Sequence, residues 1–379
     1  MQSPSRHCAS HAIAPSRVIR GESAWQDSLT LIPVLVRKPA LLGRSRATSP
    51  LRRQLREDLH AQGIDDVAIE LNHDCCEQDL KRLAQELLQQ GCDGVIAAGG
   101  GKVLDAGKLL ADRLGIRCIT VPLSAATCAG WTALANLYST SGAFERDVAL
   151  QRCPDLLIFD HSLVRQAPAR TLASGIADAL AKWYEASVSS GASNDGIIQQ
   201  AVQMARVLRD QLLLDAKEAL NDPHSEAWVR VAEACGLTAG VMGGLGGAQC
   251  RTVAAHAVHN GLTQLSACHH VLHGEKVGFG ILVQLRLEER LDGSQLAGQA
   301  RRQLFSLLHS LDLPVTLEDL GLGQAGLHEL QQVCQFACRP GSDLHHLPFA
   351  VNETELLEAL VSTQTGVTSS ASHHNRISP

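Results

Sequence analysis

The first 160 residues alternate short apolar runs with longer amphipathic stretches, and this alternation constrains the fold more than any other feature. Strands are predicted at SRVIRG, LTLIPVLV, DDVAIEL, GVIAAGGG, IRCITVPL and LLIFDHSLV, and helices at LRRQLREDLHAQ, EQDLKRLAQELLQQG and KVLDAGKLLADRLG. Strands that alternate with helices pair in parallel through right-handed crossovers. The N-terminal half is therefore predicted to be an α/β domain with a parallel sheet.

The pattern changes near residue 163, where apolar residues take up helical spacing and strand signals nearly vanish. We expect a Rossmann-like dinucleotide-binding α/β domain at residues 1–162 and an all-α domain at residues 163–364. The remaining residues, 365–379, are rich in Ser, Thr and His and are predicted to be a disordered tail. Ligands of open parallel sheets bind beyond the carboxyl ends of the strands. The active site is therefore expected in the cleft between the two domains.

Three consecutive glycines, Gly99, Gly100 and Gly101, stand where a predicted buried strand meets a helix. Glycine lets backbone amides approach a phosphate closely, and a helix N-terminus attracts negative charge. With Lys102, the glycines predict a dinucleotide diphosphate site; the alternative is an ordinary tight turn. The pattern is neither GxGxxG nor a Walker loop. Asp105 either stabilises the start of the helix or contacts the cofactor.

The next predicted strand is followed by VPLSAATCAGWTALANLY, residues 121–138, which is predicted to be a loop rich in small and hydroxyl residues. In a parallel sheet, this segment lies at the same edge as the glycine turn. Thr127, Thr132 and Tyr138 supply hydroxyl groups to that edge.

Histidines and one carboxylate form the second candidate site. His256 and His259 stand three residues apart on a predicted helix, and His273 heads the next one. Asp178 lies among small apolar residues, and a buried carboxylate requires a positive partner. That partner is either a metal or Lys182, one helical turn further on. Two histidines and a carboxylate leave positions open for water or substrate, as in catalytic zinc sites, and non-haem iron accepts the same ligands.

Each histidine taken alone is more often an ordinary packed or surface side chain than a ligand. We nevertheless predict that His256 and His273 bind the metal, because Asp178 and a nucleotide site accompany them. His259 is close enough along its helix to relay a proton. His269 and His270 are predicted to be neighbours without a direct role.

Composition excludes several classes of protein. The net charge is −6, which gives no basic excess for nucleic acid or an anionic membrane. No apolar run is long enough to span a bilayer. Twelve cysteines without a CxxC pair, in a chain without a secretory signal, indicate reduced thiols. We expect a cytoplasmic homo-oligomer with a small-molecule substrate and with neither a nucleic-acid nor a membrane partner.

Five segments resemble, in order and spacing, the iron-containing alcohol dehydrogenase superfamily: GGGKVLDAGK, VPLSAATCAGWT, GIADALAKWYEA, AAHAVHNG and LHGEKVGFGILVQL. The similarity is strongest to the glycerol dehydrogenase branch, and within it to hydroxycarboxylate dehydrogenases. It implies an NAD(P)-dependent enzyme whose divalent metal is bound by Asp178, His256 and His273. The cofactor contacts that it implies are Gly101, Lys102, Asp105, Leu123, Ala126, Thr132, Leu134 and Tyr138.

Three departures from the family pattern affect the expected chemistry. Iron-type relatives carry a fourth ligand, a histidine, where this chain has Lys182, which favours zinc over iron. Cys128 replaces an aspartate that contacts the diol of glycerol; this change and the charge of Lys182 favour a 2-oxo or 2-hydroxy acid. An aspartate that follows the second strand in NAD-linked relatives is replaced by Arg37 and Lys38, which favours NADP over NAD.

We therefore predict a metal-dependent oxidoreductase that interconverts a 2-oxo acid, or a related carbonyl, and its 2-hydroxy acid by hydride transfer. The metal would act as a Lewis acid on the substrate oxygen, with His259, Lys182 and Cys128 as the other active-site side chains. The alternatives are a glycerol or polyol dehydrogenase, a lyase similar to dehydroquinate synthase, and a protein that binds NADP(H) without turnover.

Overall fold

The computed structural model describes residues 10–363, except for the side chain of Gln249, so the predicted tail at 365–379 lies outside the described residues. Two compact units divide the chain, the first ending at Arg251 and the second beginning at Thr252. This division differs from the domain boundary predicted at 162/163, which stays a prediction. Strands of the first unit are β1 (Val18–Gly21), β2 (Pro39–Gly43), β3 (Val67–Glu70), β4 (Gly94–Gly99), β5 (Arg117–Pro122), β6 (Leu134–Tyr138), β7 (Phe144–Ala149) and β8 (Leu156–Asp160).

Ten helices accompany these strands in the described part of the first unit. They are α1 (Ala24–Ser28), α2 (Ile32–Leu35), α3 (Ser49–Ala61), α4 (Glu77–Gln90), α5 (Gly101–Leu114), α6 (His161–Val164), α7 (Ala169–Ser190), α8 (Gly196–Asn221), α9 (Glu226–Glu233) and α10 (Ala239–Arg251). A π-helical turn, Ala234–Thr238, joins α9 to α10. Within the described chain, no strand follows Asp160, so the predicted change to helices near residue 163 is confirmed.

Six parallel strands form one sheet in the order β1-β8-β5-β4-β2-β3. On one face, Leu41 and Ile96 pack in a buried apolar cluster with Leu55 and Leu59 of α3 and with Trp25 of α1. Helix α5 packs closely on β4 at Gly107, where an added Cβ would lie 2.4 Å from the Cβ of Ala97. The predicted parallel α/β sheet is thus confirmed.

The second predicted strand is misplaced in the sequence analysis. LTLIPVLV contains the helix α2, and the strand is the following segment, PALLG. Pro33 lies in the first turn of α2, where its missing N–H is not needed, whereas in an interior strand it would break the hydrogen-bond ladder. Short apolar runs do not by themselves distinguish a strand from a helix.

This shift also corrects the position of Arg37 and Lys38, which precede β2 instead of following it. Their amides donate hydrogen bonds to the carboxylate of Asp93, at 2.8 and 2.9 Å, and Lys38 Nζ donates to the carbonyl of Gln90 at 2.7 Å. Asp93 itself directly precedes β4. Both cations therefore lie at the amino edge of the sheet, opposite the glycine turn, and their predicted contact with a 2′-phosphate is wrong.

A two-stranded antiparallel sheet of β6 and β7 was missed by the sequence analysis, which treated residues 121–138 as one loop. Leu134 pairs with Ala149 at one end of this hairpin, and Tyr138 pairs with Phe144 at the other. The rings of Tyr138 and Phe144 meet edge to face with centroids 6.1 Å apart. The loop after β5 is consequently shorter than predicted and is anchored by a strand.

The described part of the second unit consists of helices and their connections. The helices are α11 (Ala254–Leu262), α12 (His273–Leu291), α13 (Gln295–Ser310), α14 (Leu327–Ala337) and α15 (Glu353–Ser362). Gln284 of α12 holds α11, because its Oε1 accepts a hydrogen bond from the amide of Ala255 at 3.2 Å. Among residues 10–363, no helix has both the length and the apolar character required to cross a membrane.

Glu288 makes the stability of the second unit dependent on pH. Burial raises the pKa of its carboxyl from 4.5 to about 7, although the Gln284 amide, which donates to it at 3.0 Å, opposes the change. The folded state therefore retains a proton that the unfolded chain releases above pH 4.5. The stability that this proton contributes is complete below pH 4.5 and is lost as the pH rises to about 7.

We predict that Glu288→Gln stabilises the protein at pH 8 by roughly 2 kcal/mol and has little effect near pH 4.5, because the amide stays neutral. Thermal unfolding at both pH values measures this difference. Glu318→Gln, at an exposed position, is the matched control and should shift neither midpoint. Equal effects of Glu288→Gln at the two pH values would contradict the assignment.

Candidate functional site

The glycine turn joins β4 to α5 at the carboxyl edge of the sheet. Gly99 and Gly101 are needed for packing, since an added Cβ would lie 2.8 Å from Val103 Cβ and from Thr127 Cγ2 respectively. Gly100 is different: an added Cβ would meet only Ser124 Oγ, at 3.9 Å. The protein itself therefore does not require glycine at position 100. A phosphate that bound to these backbone amides would require glycine there, because a side chain would obstruct its approach. The turn therefore fits a dinucleotide diphosphate.

The loop after β5 lies against this turn. The amide of Leu123 donates to the carbonyl of Gly99 at 3.0 Å, and Thr127 Oγ1 accepts from the amide of Ala129 at 3.1 Å. Ala126 follows Ala125, whose carbonyl oxygen would lie only 2.0 Å from a Cβ at Gly175 of α7. The predicted proximity of this loop to the glycine turn is confirmed, and α7 packs directly against the loop.

Lys108 organises the next segment, although the sequence analysis gave it no role. Its buried ammonium lies 3.1 Å from a carboxylate oxygen of Asp105 and donates to the carbonyl of Thr132 at 3.1 Å and to that of Leu134. Asp105 also accepts from the amide of Asn136 at 3.2 Å. Asp105 thus binds α5 to β6 in addition to lying near the helix start. The available signal was a lysine on the apolar face of an amphipathic helix.

Lys102 and Tyr138 lie together beside Asp74. Lys102 Nζ is 4.9 Å from the centroid of the Tyr138 ring and forms an ion pair with Asp74, and Arg44 pairs with the same carboxylate. The Tyr138 amide donates to the carbonyl of Cys75 at 2.9 Å. Burial raises the pKa of the Tyr138 hydroxyl, which therefore stays protonated.

Asp178 and Lys182 are both buried on α7, with Lys182 Nζ 3.5 Å from Asp178 Oδ1. Burial alone would lower the pKa of Lys182, but the Asp178 carboxylate, together with the smaller effects of Cys128 and Glu185, outweighs burial and the pKa is raised. Lys182 is thus a cation, and the predicted i,i+4 ion pair is present. Cys128 is also buried, and burial raises the pKa of its thiol even though Lys182 opposes this change. The thiol is therefore neutral near neutral pH.

Three histidines come together in the second unit. The ring centroid of His273 lies 5.7 Å from that of His256 and 4.2 Å from that of His259. Burial, followed by the neighbouring His273 and Lys276, lowers the pKa of His259 well below its usual value, so this ring is neutral. His259 Nδ1 lies 2.9 Å from Asn260 Oδ1, which can only accept. Nδ1 therefore carries the proton, and Nε2 is left as a base.

The position of His273 is fixed by the connection that precedes it. As predicted, His273 is the first residue of α12, and Glu275 accepts a hydrogen bond from the amide of Leu272 at 2.7 Å. Buried Lys276 donates to the carbonyl of Val271 at 2.6 Å. In the same connection, His269 Nε2 bonds the carbonyl of Thr263 at 3.1 Å, which gives this ring a structural contact.

Comparison with known proteins identifies the class. The family model for iron-containing alcohol dehydrogenase matches residues 15–161. Glycerol dehydrogenase from Pseudomonas putida is 36% identical over 363 residues, covering 93% of this chain and 97% of that protein. Hydroxycarboxylate dehydrogenase A from Escherichia coli (strain K12) is 35% identical over 301 residues, covering 77% and 80%. The crystal structure of a probable glycerol dehydrogenase from Sinorhizobium meliloti 1021 has a TM-score of 0.83 at 28% identity, covering 94% and 98%.

The parallel sheet with its glycine turn and the helical region with its histidines define an NAD(P)-dependent, metal-binding dehydrogenase. The chain belongs to the iron-containing alcohol dehydrogenase family. It is an oxidoreductase that acts on CH–OH groups. The predicted resemblance and enzyme class are thereby confirmed.

Two glycine substitutions distinguish a glycine needed for cofactor binding from one needed for packing of the fold. We predict that Gly100→Ala changes the unfolding free energy by no more than about 0.5 kcal/mol but weakens NAD(P)H binding at least about tenfold, because the methyl group occupies the space above the amides. Gly107→Ala should destabilise the protein by about 1–3 kcal/mol through its clash with Ala97. Thermal unfolding measures the stability of both variants, and calorimetric titration measures their affinity for the cofactor. Unchanged NAD(P)H affinity in Gly100→Ala would show that the diphosphate binds elsewhere.

Proposed function

We propose that this enzyme is a zinc-dependent, NADP-linked dehydrogenase that interconverts a 2-oxo acid and its 2-hydroxy acid. The observation that carries the proposal is the buried cation Lys182 beside the neutral thiol of Cys128. An ammonium attracts a carboxylate substrate, and a neutral thiol does not repel it. The family aspartate that contacts a diol is missing at the Cys128 position.

Asp178, His256 and His273 are proposed as the metal ligands. Neutral imidazoles and one carboxylate are the donors of catalytic zinc sites, and Lys182 occupies the position of a fourth ligand. When bound, the metal supplies a Lewis acid and the dinucleotide a hydride carrier. Three protein ligands would favour zinc, although the family name refers to iron.

The remaining groups would position the substrate and the cofactor and would transfer the proton. Lys182 would orient the substrate carboxylate, and the amides of the glycine turn would hold the cofactor diphosphate. His259, neutral and with Nε2 as a base, would accept the hydroxyl proton during oxidation and return it during reduction. The homo-oligomeric state and the cytoplasmic location stay predictions.

A glycerol or polyol dehydrogenase is the second candidate function. The glycerol dehydrogenase and the hydroxycarboxylate dehydrogenase compared above are 36% and 35% identical to this chain, so identity does not separate the two substrates. A panel of 2-oxo acids, aldehydes and glycerol, tested with NADH and NADPH and with and without zinc, does separate them. Steady consumption of NAD(P)H also distinguishes a dehydrogenase from a lyase that regenerates its cofactor.

We predict that Cys128→Asp lowers kcat/KM for 2-oxo acids by at least about tenfold, because a carboxylate beside Lys182 repels the anionic substrate. The same change should raise the oxidation rate of glycerol by restoring a diol acceptor. Cys128→Ser, which stays neutral, is the matched control and should retain the preference for 2-oxo acids. Equal losses in both variants would indicate a packing effect and would contradict the proposed role of charge.

We predict that His256→Ala and Asp178→Asn lose bound zinc and more than about 100-fold of kcat/KM, since even residues that only support metal ligands contribute about 10–100-fold. Metal content per chain, measured by mass spectrometry, checks the first effect independently of activity. His269→Ala should keep both zinc and turnover. A metal-free Asp178→Asn enzyme with full activity would refute the ligand assignment.

A further inference from the structure

We infer that the loop directly after β2, Arg44 to Arg46, binds the 2′-phosphate of NADP. The inference rests on the proposed function only in that a dinucleotide occupies the sheet edge. It replaces Arg37 and Lys38, which lie at the opposite edge.

The position follows from the register of the sheet. Leu42 of β2 is level with Ala97 of β4, so β2 and β4 end side by side at Gly43 and Gly99. Adjacent strands are about 4.8 Å apart. The loop after β2 therefore starts beside the glycine turn proposed for the diphosphate. In dinucleotide-binding sheets, the group after the second strand contacts the adenosine ribose, where an acid selects NAD and an arginine accommodates the 2′-phosphate of NADP.

The loop presents the groups that a phosphate requires. Arg46 is exposed, and its side chain has neither a hydrogen bond nor an ion pair among the described residues. Ser45 Oγ accepts from the amide of Ala47 at 3.2 Å, which leaves its hydroxyl proton to donate. Arg44 pairs with Asp74, and Lys102 neutralises the same carboxylate from the other side. Guanidinium groups bind phosphate through paired charge-assisted hydrogen bonds.

A buried arginine holds the loop in place. Arg52 donates to the carbonyl of Ser45 at 3.0 Å, to Thr48 Oγ1 at 2.6 Å and to Glu70 at 2.7 Å. Gly43 makes room for it, since an added Cβ would lie 2.0 Å from Arg52 Nε. The loop conformation therefore exists before a ligand arrives, which reduces the entropy lost on binding.

Carboxylates that would favour NAD are engaged elsewhere. No acid follows β2 directly, where the chain reads Gly43, Arg44, Ser45, Arg46 and Ala47. Glu70, at the end of the neighbouring β3, accepts from Arg52, and Asp74 is shared by two cations. The net charge of the side chains named at this edge is positive, although the whole chain carries a net charge of −6.

The test compares 2′,5′-ADP with 5′-AMP, which differ only in the 2′-phosphate, by calorimetric titration of the full chain. We expect the parent to bind 2′,5′-ADP at least about tenfold more tightly, in line with charged hydrogen bonds. Arg46→Gln should reduce this preference about tenfold and should lower the ratio of kcat/KM for NADPH to that for NADH similarly. Arg37→Gln removes the same charge at the opposite edge and should change neither.

Several results would overturn the inference: no binding of 2′,5′-ADP, equal affinity for the two nucleotides, or loss of preference in Arg37→Gln but not in Arg46→Gln. Thermal unfolding of both variants verifies that they are folded. The nucleotide titration requires neither metal nor substrate. A chain that prefers 2′,5′-ADP yet reduces no 2-oxo acid refutes the proposed substrate and leaves this inference intact. A chain that reduces 2-oxo acids with NADH only refutes this inference, together with the proposed NADP preference, and leaves the proposed substrate intact.

Discussion

The parallel register of β2, β4 and β5 determines where chemistry can occur in the first unit. Gly99 of β4 pairs with Pro122 of β5, and β2 ends one residue short of that level on the other side of β4. Three loops therefore leave the sheet at one edge, with the glycine turn in the middle. A slip of the β2 register would move Arg44 away from this turn and would also exchange the faces of the strand. The backbone hydrogen bonds of the sheet thus determine where the candidate cofactor site lies, independently of the side chains in the loops.

Ion pairs in which at least the carboxylate is buried then fix the loops. Lys108 with Asp105 holds the start of β6, Asp74 holds Lys102 and Arg44, and Lys182 lies against Asp178 on the helix beneath the loop. Burying charges is costly, and such pairs often add little stability, but removing one partner is strongly unfavourable. We interpret these ion pairs as contacts that hold the loops in position. This explains why charged residues accumulate on the otherwise small-residue edge of the sheet.

Sequence reasoning succeeded where the signal is local and failed where it is not. The glycine turn, the helices α3 to α5 and the helix that begins at His273 follow from short patterns of glycine, apolar spacing and capping. The assignment of LTLIPVLV as a strand failed because its apolar run fits either structure, and Arg37 was displaced with it. The β6–β7 hairpin was missed although its two strands are close in sequence. The place of Lys108 on the apolar face of its helix was a local signal, but its partners, the carbonyl groups of Thr132 and Leu134, are distant in sequence and no local pattern identifies them.

The placement of charge would also explain how an acidic chain could bind the two anions proposed above. A chain of net charge −6 repels a phosphorylated cofactor and a carboxylate at long range. At physiological ionic strength that repulsion is screened beyond about 8 Å. Within that distance, the proposed contacts are the exposed guanidinium of Arg46 and the buried ammonium of Lys182, which also pairs with Asp178. Burial strengthens the field of Lys182, whereas exposure leaves Arg46 to act through direct hydrogen bonds. Salt should therefore weaken discrimination at the 2′-phosphate more than it weakens recognition of the substrate carboxylate.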